Sequence, residues 1–170
     1  MEYKFRGKKK PNEPWFYGGF HKHETYTLSP VYAKGEEPPK PEYEYLIIES
    51  GFSDWNLPKP LQAQAVNPDS VGQYINRKDR NGVEIYTGDI IKVKLSAGYS
   101  DCYEWKLFEV IFDVKQLCFT LKPIGDVSPW FGVNALQYAC EIEVVGNVFD
   151  NPEFLGGQEI FHYQKKPYMH

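Results

Sequence analysis

The sequence predicts a β-rich fold whose second half is a small β-barrel. Aromatic residues make up 16% of the 170 residues, and such side chains favour pleated, half-buried strands. In segments such as DIIKVKL, which begins at Asp89, apolar and polar residues alternate with a period of two. Turn-forming residues separate short segments throughout, and little of the chain keeps the 3.6-residue period of a helix. Several short strands with tight turns therefore predict a barrel.

The first half contains short predicted strands separated by loops. YKFRG and WFYGGF predict two strands joined by the polar KKKPNEP, and ETYTL predicts a third. Four prolines then predict an extended insertion near residues 30–41, because proline cannot donate to a sheet. YEYLIIES predicts an apolar strand, GFSDWNLPKP a loop, and LQAQAV a further extended segment.

The segment NGVEIYTGDIIKV opens the second half with two turn signals. Asn81-Gly82 is typical of a type I′ hairpin turn, which needs positive φ at both positions. Gly88 predicts a second bend. Asp89 could accept hydrogen bonds from the amides of that bend, or it could act as a general base. A base needs a partner, and no histidine or arginine lies between Asp89 and His162, so we favour the structural role.

The strands after this turn follow from the same alternation. In DIIKVKL the pattern predicts that the apolar side chains point inward and the lysines outward; the inward set is Ile91, Val93 and Leu95, and the outward set is Lys92 and Lys94. EWKLFEVIFDVKQLCFTLKP predicts a hairpin that turns at DVKQ. EIEVVGNVF predicts the closing strand.

Two segments carry helix-start signals. SPWFGVNALQYAC predicts a short helix, with Ser128 as its cap and Pro129 at its first position. DNPEFL predicts a final helical turn, with Asn151 as cap and Pro152 at the first position. Both elements lie near the end of the predicted barrel.

Charge is distributed unevenly along the chain. Residues 1–80 hold twelve basic and eleven acidic side chains, residues 81–156 hold five and eleven, and residues 157–170 hold two and one. The acidic middle region is expected to repel phosphate, and all three arginines of the chain precede Asn81. The dense basic run is KFRGKKK, and we interpret it as a solvated strand and turn rather than a nucleic-acid patch.

Cysteine usage and the amino terminus indicate a cytoplasmic protein. Cys102, Cys118 and Cys140 are an odd number with no CxxC spacing, so we predict reduced, buried thiols rather than disulfides or a zinc site. The first residues lack the apolar region of a signal peptide. No apolar run approaches the ~18 residues of a membrane span.

Other candidate sites are weaker. His21 and His23 alternate on one face of an extended segment, but Glu24 points to the other face, so we favour an exposed strand over a metal site. Glu141 and Glu143 also share a strand face, and we favour solvated outward positions over an acid/base pair. GFSDW does not resemble a nucleophile elbow, and AGYSDCYEW has a serine and a cysteine without a nearby histidine.

Aromatic side chains offer a last candidate, a ligand platform formed by Trp15, Tyr17, Trp55 and Trp130. Core packing is the commoner fate of such residues in small β-proteins, so we favour that role. The sequence therefore predicts no catalytic, cofactor-binding or metal-binding residues.

Three segments resemble a known family. VGQYINRKDRNGVEIYTGDII (Val71–Ile91) and EVVGNVFDNPEFL (Glu143–Leu155) are similar to the two signature stretches of the YopX family of bacteriophage and prophage proteins, and KFRGK…WFYG (Lys4–Gly18) resembles its usual start. The segment Ile75–Arg77 departs from the family's common Thr-Gly-Leu, Thr87 replaces a common Glu, and Phe154 replaces a common Leu.

The resemblance implies an amino-terminal α+β part over residues 1–80 and a carboxy-terminal SH3-like barrel over residues 81–156. Residues 157–170 form a tail that lies outside the resemblance. It implies a phage or prophage origin, and it implies no established activity and no catalytic residues.

Three classes of function follow from these observations. The first is a non-enzymatic interaction or assembly protein, expected to be a homo-oligomer with a phage or host protein as a further partner. The second is a nucleic-acid-binding protein that uses the barrel and the basic amino terminus. The third is an enzyme similar to endoribonuclease toxins, on the strand start GDII. RNA cleavage would want a cation near the phosphate, and the predicted barrel half has no arginine, so we rank the interaction protein first.

Overall fold

The computed structural model describes residues 2–25, 42–51, 58–95, 105–125, 127, 136 and 139–156. The chain divides into two compact units, with the boundary between Asn76 and Arg77. Within the described residues, strands dominate both units and the pairs β1–β2, β1–β5, β2–β3, β3–β4, β7–β8, β8–β9 and β7–β10 are antiparallel. The described residues also contain the 3₁₀ turns Pro68–Ser70 and Pro152–Leu155. The predicted β-rich fold is therefore confirmed.

The first unit is a sheet whose strands lie in the order β4-β3-β2-β1-β5. The strands are β1 (Phe5–Gly7), β2 (Phe16–Thr25), β3 (Glu42–Ser50), β4 (Leu61–Ala65) and β5 (Gly72–Lys78), the last of which crosses the boundary. The strands predicted from YKFRG, WFYGGF, YEYLIIES and LQAQAV are confirmed. Glu24 and Thr25, predicted to begin a separate strand, continue β2 instead. The proline-rich insertion near residues 30–41 lies outside the described residues.

The core of the first unit is built on Ile47, which is fully buried. A Cβ atom on Gly7 would come within 2.9 Å of Val66 Cγ2 and 3.2 Å of Ile47 Cγ1. Only glycine at this position therefore lets β1 pack so close to its neighbours. The Ser70 hydroxyl donates to Lys8 O and accepts from Lys8 N, both at 2.9 Å, which fixes the first 3₁₀ turn beside β1.

The second unit contains a sheet in the order β10-β7-β8-β9. The strands of the unit are β6 (Glu84–Tyr86), β7 (Asp89–Leu95), β8 (Lys106–Asp113), β9 (Cys118–Pro123) and β10 (Ala139–Asn147). Strands β10 and β9 stand at the two ends of this order, so the sheet does not close on itself within the described residues. The predicted SH3-like barrel and α+β part are not confirmed.

Alternation along β7 places the sheet's apolar face correctly. Ile91 and Val93 are fully buried, and Lys92 and Lys94 are partly exposed, which confirms the predicted inward and outward positions. The side chain of Leu95 lies outside the described residues. Other buried apolar side chains of the unit come from β6, from Ile90 at the start of β7 and from neighbouring strands, and they include Ile85, Tyr86, Phe108, Val110, Leu121 and Ile142. The predicted β8–β9 hairpin is confirmed, with its turn one residue later, at 114–117.

The Asn-Gly turn differs from the predicted type I′ geometry. Gly82 has φ +83°, as predicted, but Asn81 does not have positive φ. Gly82 N donates to Asp79 O at 3.0 Å, and Asp79 N donates to Val83 O at 2.8 Å. This is the three-residue hairpin connection in which a type I turn precedes a left-handed glycine. Gly88, the second predicted bend, also has φ +83°.

The helix predictions have different outcomes. Residues 128–135 and 137–138 of the predicted short helix lie outside the described residues. The final helical turn is confirmed as the 3₁₀ turn Pro152–Leu155, but the Asn151 side chain makes no capping hydrogen bond to it. Asn151 Oδ1 instead accepts from Asn147 N at 3.3 Å, so this side chain reaches back to the end of β10.

Candidate functional site

Asp79 connects the turn after β5 to the edge of β10. Its Oδ1 accepts hydrogen bonds from Asn81 N at 2.8 Å and Val83 N at 2.9 Å, and its Oδ2 accepts one from Val144 N at 3.1 Å. Arg80 N donates to Ile142 O at 3.0 Å. The side of β10 that faces away from β7 is therefore occupied by the turn, which protects it as an edge strand needs.

The ionisation of Asp79 follows from this geometry. Burial opposes the charged form, but the amide hydrogen bonds from Val144, Val83 and Asn81 outweigh it and hold the pKa of Asp79 below its ordinary value. A carboxylate with these three amide partners is a structural acceptor. It is not poised to take up a proton near neutral pH.

Asp89 has the structural position that the sequence favoured. Its side chain is 1% exposed, and its Oδ2 accepts from Tyr86 N at 2.7 Å. Gly88 beside it donates its N–H to Val110 O at 2.8 Å and accepts at its carbonyl oxygen from Val148 N at 2.9 Å. The bend is thus bonded to β8 and to the segment after β10, and Asp89 stabilises its backbone.

The outer face of the second sheet carries a ladder of ion pairs. Lys92 bonds Glu143 at 2.9 Å and Lys94 bonds Glu141 at 3.0 Å, as the β7–β10 register requires. Arg80 reaches both glutamates, at 3.1 and 2.7 Å. Lys94 and, next, Arg80 lower the pKa of Glu141. Glu141 and Glu143 therefore do lie outward as predicted, each held by cations rather than arranged as an acid/base pair.

A tryptophan that the sequence reasoning did not single out lies at the centre of these cations. The side-chain cations of Lys94, Lys92 and Arg80 are 4.8, 5.0 and 5.4 Å from the ring centroid of Trp105, within cation–π range. The outward alternation of Lys92 and Lys94 was visible in the sequence, but their approach to Trp105 depends on tertiary structure. We call Trp105 with these cations and their two glutamates the charged face.

The position of the arginines corrects one premise about the second unit. Arg77 and Arg80 belong to it, since the boundary follows Asn76. Arg77 donates to the carbonyl oxygens of Leu136 and Ala139, and Arg80 joins the charged face. Two guanidinium groups therefore belong to the same unit as strands β7–β10, although both arginines precede Asn81. The described contacts of both side chains are structural.

We had expected the basic amino-terminal run KFRGKKK to be a solvated strand and turn, and this expectation is wrong for two of its cations. Arg6 is 8% exposed and Lys8 is 3% exposed. Their side-chain cations lie 4.2 and 4.3 Å from the ring centroid of Trp15. Lys9 and Lys10 are exposed. The fold thus withdraws two cations of the run from solvent, because they pack against an aromatic ring.

The remaining sequence candidates do not form a site in the described parts of the chain. His21 and His23 lie on an exposed strand with their rings 6.0 Å apart, as favoured. No group of three or more His, Cys, Asp or Glu that could hold a metal ion occurs among the described residues. Trp55 and Trp130 of the aromatic platform lie outside the described residues, while Trp15 is half-buried and Tyr17 is exposed.

The cysteines depart from the prediction. Cys118 and Cys140 are exposed free thiols, so their predicted burial is wrong. Cys118 begins β9 beside the hairpin turn, and Cys140 lies where the β7–β10 register shifts, and both positions face solvent. Cys102 lies outside the described residues. Within the described part of the chain, no helix has the length and apolar character to cross a membrane.

An exposed apolar tip ends the β8–β9 hairpin. Phe112, Val114 and Leu117 are 46%, 54% and 76% exposed. Phe119 packs edge-on against Phe112 with ring centroids 5.4 Å apart. Leu117 adopts φ +54°, a left-handed conformation that a leucine rarely takes. We call these four residues the apolar tip, and from the sequence we had predicted a hairpin there but no site.

Comparison with known families assigns the chain. The family model for YopX protein matches residues 4–156, which is most of the sequence. The chain belongs to the YopX family. No curated protein matches this YopX family member. Among solved structures it is similar to the crystal structure of protein EF1440 from Enterococcus faecalis, with 18% identity and a TM-score of 0.42, over 91% of this chain and 99% of that one.

Proposed function

We propose that this YopX family member is a non-enzymatic interaction and assembly protein of a phage or prophage, active in the bacterial cytoplasm, and that the apolar tip is its docking site for another protein. The observation that carries the proposal is Leu117, which is 76% exposed at φ +54°. Glycine or asparagine at this position would remove an apolar surface and relieve backbone strain. Folding alone therefore gives no reason for leucine, whereas binding of a partner does.

The charged groups support a protein partner over a nucleic acid. Nucleic-acid binding depends on cations that can reach phosphates, but Arg6 and Lys8 are buried. The three cations of the charged face are each ion-paired with Glu141 or Glu143. The four residues of the apolar tip, by contrast, carry no charge.

The family's SH3-like barrel remains our proposal for residues 81–156, together with an α+β part before it and the tail after it. Its support is the strand order, in which β7, β8 and β9 form a meander and the last strand, β10, returns beside β7. A sheet that closes into a barrel needs such a return.

Site-specific photo-cross-linking in the producing cell tests the docking role. A photoreactive phenylalanine analogue replaces Phe112 in the tip or, as a matched control, Tyr3, an aromatic residue that is 73% exposed elsewhere. We expect a protein adduct of discrete mass from position 112 and none of that mass from position 3. The adduct should disappear when Leu117→Asn is added, a change that the left-handed backbone tolerates.

Two outcomes would contradict the proposal. One is the absence of an adduct at position 112. The other is a nuclease-sensitive adduct, which would favour the nucleic-acid alternative. A thermal melt of Leu117→Asn at or above the wild-type temperature shows that any loss of cross-linking reflects lost contact and not unfolding.

A further inference from the structure

Strand β4 ends the sheet of the first unit, and its backbone shows which groups face outward. Val66 N donates to Tyr45 O at 2.8 Å and Gly51 N donates to Pro60 O at 2.7 Å. In an antiparallel pair, bonded residues alternate along the strand, so the even-numbered residues of β4 bond to β3. The N–H and C=O groups of Leu61, Ala63 and Ala65 point away from it. Among the described residues, no strand pairs with this side of β4.

This edge lacks the usual protection against pairing. Soluble proteins commonly place charges, prolines or bulges on edge strands. The five residues Leu61–Ala65 contain neither charge nor proline, and their register with β3 is regular. Leu61 is 76% exposed. By contrast, the edge of β10 in the second unit is covered by the Asp79 turn.

The sequence of β4 is nearly symmetric about its middle residue. In Leu-Gln-Ala-Gln-Ala, Gln62 and Gln64 flank Ala63 at equal distances. If two copies of the strand pair antiparallel with Ala63 opposite Ala63, Leu61 lies opposite Ala65 and Gln62 lies opposite Gln64. All the outward backbone groups of both strands then find partners, and apolar side chains face apolar side chains on one side of the joined sheets.

We propose that a second copy of this chain pairs with β4 in this register, about a twofold axis at Ala63, and so joins two first-unit sheets into one. The inference rests on the proposed assembly function and identifies the self-contact. A twofold axis requires a surface that is complementary to itself. The near-palindromic sequence of β4 meets this requirement. The register also brings exposed Lys59 of one copy level with Asn67 of the other, two residues before exposed Asp69.

Light scattering on a size-exclusion column tests the contact. We expect a wild-type mass of at least twice the 19.8 kDa chain. Ala63→Pro removes an outward donor without removing a bond to β3, and Ala63→Lys places two ammonium groups opposite each other. Both variants should shift the mass towards the monomer while the thermal melt remains cooperative. An oligomer that survives both variants would overturn the β4 contact.

Disulfide trapping provides a second measurement that does not depend on disruption. In a chain with Cys102, Cys118 and Cys140 replaced by serine, Ala63→Cys should give a covalent dimer on mild oxidation, because the axis places residue 63 opposite itself. Gln62→Cys is the matched control, since its opposite residue is Gln64, and it should cross-link much less. Equal cross-linking at both positions, or a wild-type monomer, would refute the register.

These results separate the inference from the proposed function. The photo-cross-link from Phe112 reports the docking of a partner on the second unit, and it does not use β4. A tip adduct with no β4 contact would leave the interaction protein standing and remove the twofold strand pair. A β4 contact with no tip adduct would leave the twofold strand pair standing and remove the docking role of the apolar tip.

Discussion

The carboxylate of Asp79 accepts a hydrogen bond from the backbone amide of Val144, which lies 65 positions later in the sequence. Each residue belongs to one of the two stretches that resemble the YopX signature, Val71–Ile91 and Glu143–Leu155. A second contact joins the same stretches, since Val148 N donates to Gly88 O at 2.9 Å. These two stretches therefore form a single structural junction, and Asp79 and Gly88 need no catalytic role to explain their place in it.

Removal of the Asp79 carboxylate should destabilise the second unit. Asp79→Ala eliminates three amide hydrogen bonds and leaves Val144 N without this acceptor, so we expect the free energy of unfolding to fall by about 2–4 kcal/mol. Urea denaturation measures it. Asp113→Ala is the control, because Asp113 Oδ1 also accepts two turn amides but at an exposed site. An equal loss in both variants would show that the long-range bond adds nothing.

The same group should make stability depend on pH. The folded pKa of Asp79 is depressed, so its ionised form stabilises the fold above the ordinary aspartate pKa. That contribution is lost as pH falls through the folded value. The difference in unfolding free energy between wild type and Asp79→Asn should be constant near neutral pH and should shrink below pH ~4. A difference that does not change down to pH ~2 would contradict the lowered pKa.

Gly82→Val should cost about 1–3 kcal/mol of stability, because a β-branched residue is strained at φ +83°. Nothing lies within 4 Å of a Cβ atom built at this glycine, so the cost comes from the backbone and not from a clash. Gly82→Asn, which tolerates the left-handed region, should lose less. Equal thermal melts for valine, asparagine and wild type would mean that the turn does not hold this conformation in solution.

Asp89→Asn should retain one acceptor oxygen for Tyr86 N and lose less than about 2 kcal/mol of stability. Partner cross-linking at the apolar tip should not change, because Asp89 is buried within its own bend. Chemical denaturation and the Phe112 cross-link are measured on the same preparation. Wild-type stability combined with a lost cross-link would instead make Asp89 a binding residue.

Local signals predicted the parts of the fold that depend on neighbouring residues. The period of two in DIIKVKL placed Ile91 and Val93 correctly, and glycine marked both bends. The predicted type I′ turn was wrong at Asn81 because Asp79 accepts the amides of Asn81 and Val83 and supports a type I geometry instead. The local turn propensity of Asn81-Gly82 does not include the hydrogen bonds that the Asp79 carboxylate accepts.

Contacts distant in sequence account for the other differences. Arg6 and Lys8 are buried, and their cations lie over the ring of Trp15, the residue before β2. The cations around Trp105 come from two segments, the turn with Arg80 and strand β7 with Lys92 and Lys94. No spacing in the sequence relates these residues to Trp105. The Asn151 side chain does not cap the 3₁₀ turn as predicted, but accepts a hydrogen bond from Asn147 N. A Cβ atom on Gly146 would lie 2.5 Å from Asn151 Oδ1. The sequence shows such residues, but only the fold shows their partners.

The place of β10 has a consequence for synthesis on the ribosome. Strand β7 is made early in the second unit, yet one of its two neighbours, β10, is among the last elements to emerge. Until then one edge of the apolar strand β7 stays unpaired in the nascent chain, and an open edge of this kind favours misassembly. Chains cut short before Ala139 should therefore accumulate as aggregates or be degraded, and completion of the sheet should be a late, slow event because its contacts are non-local.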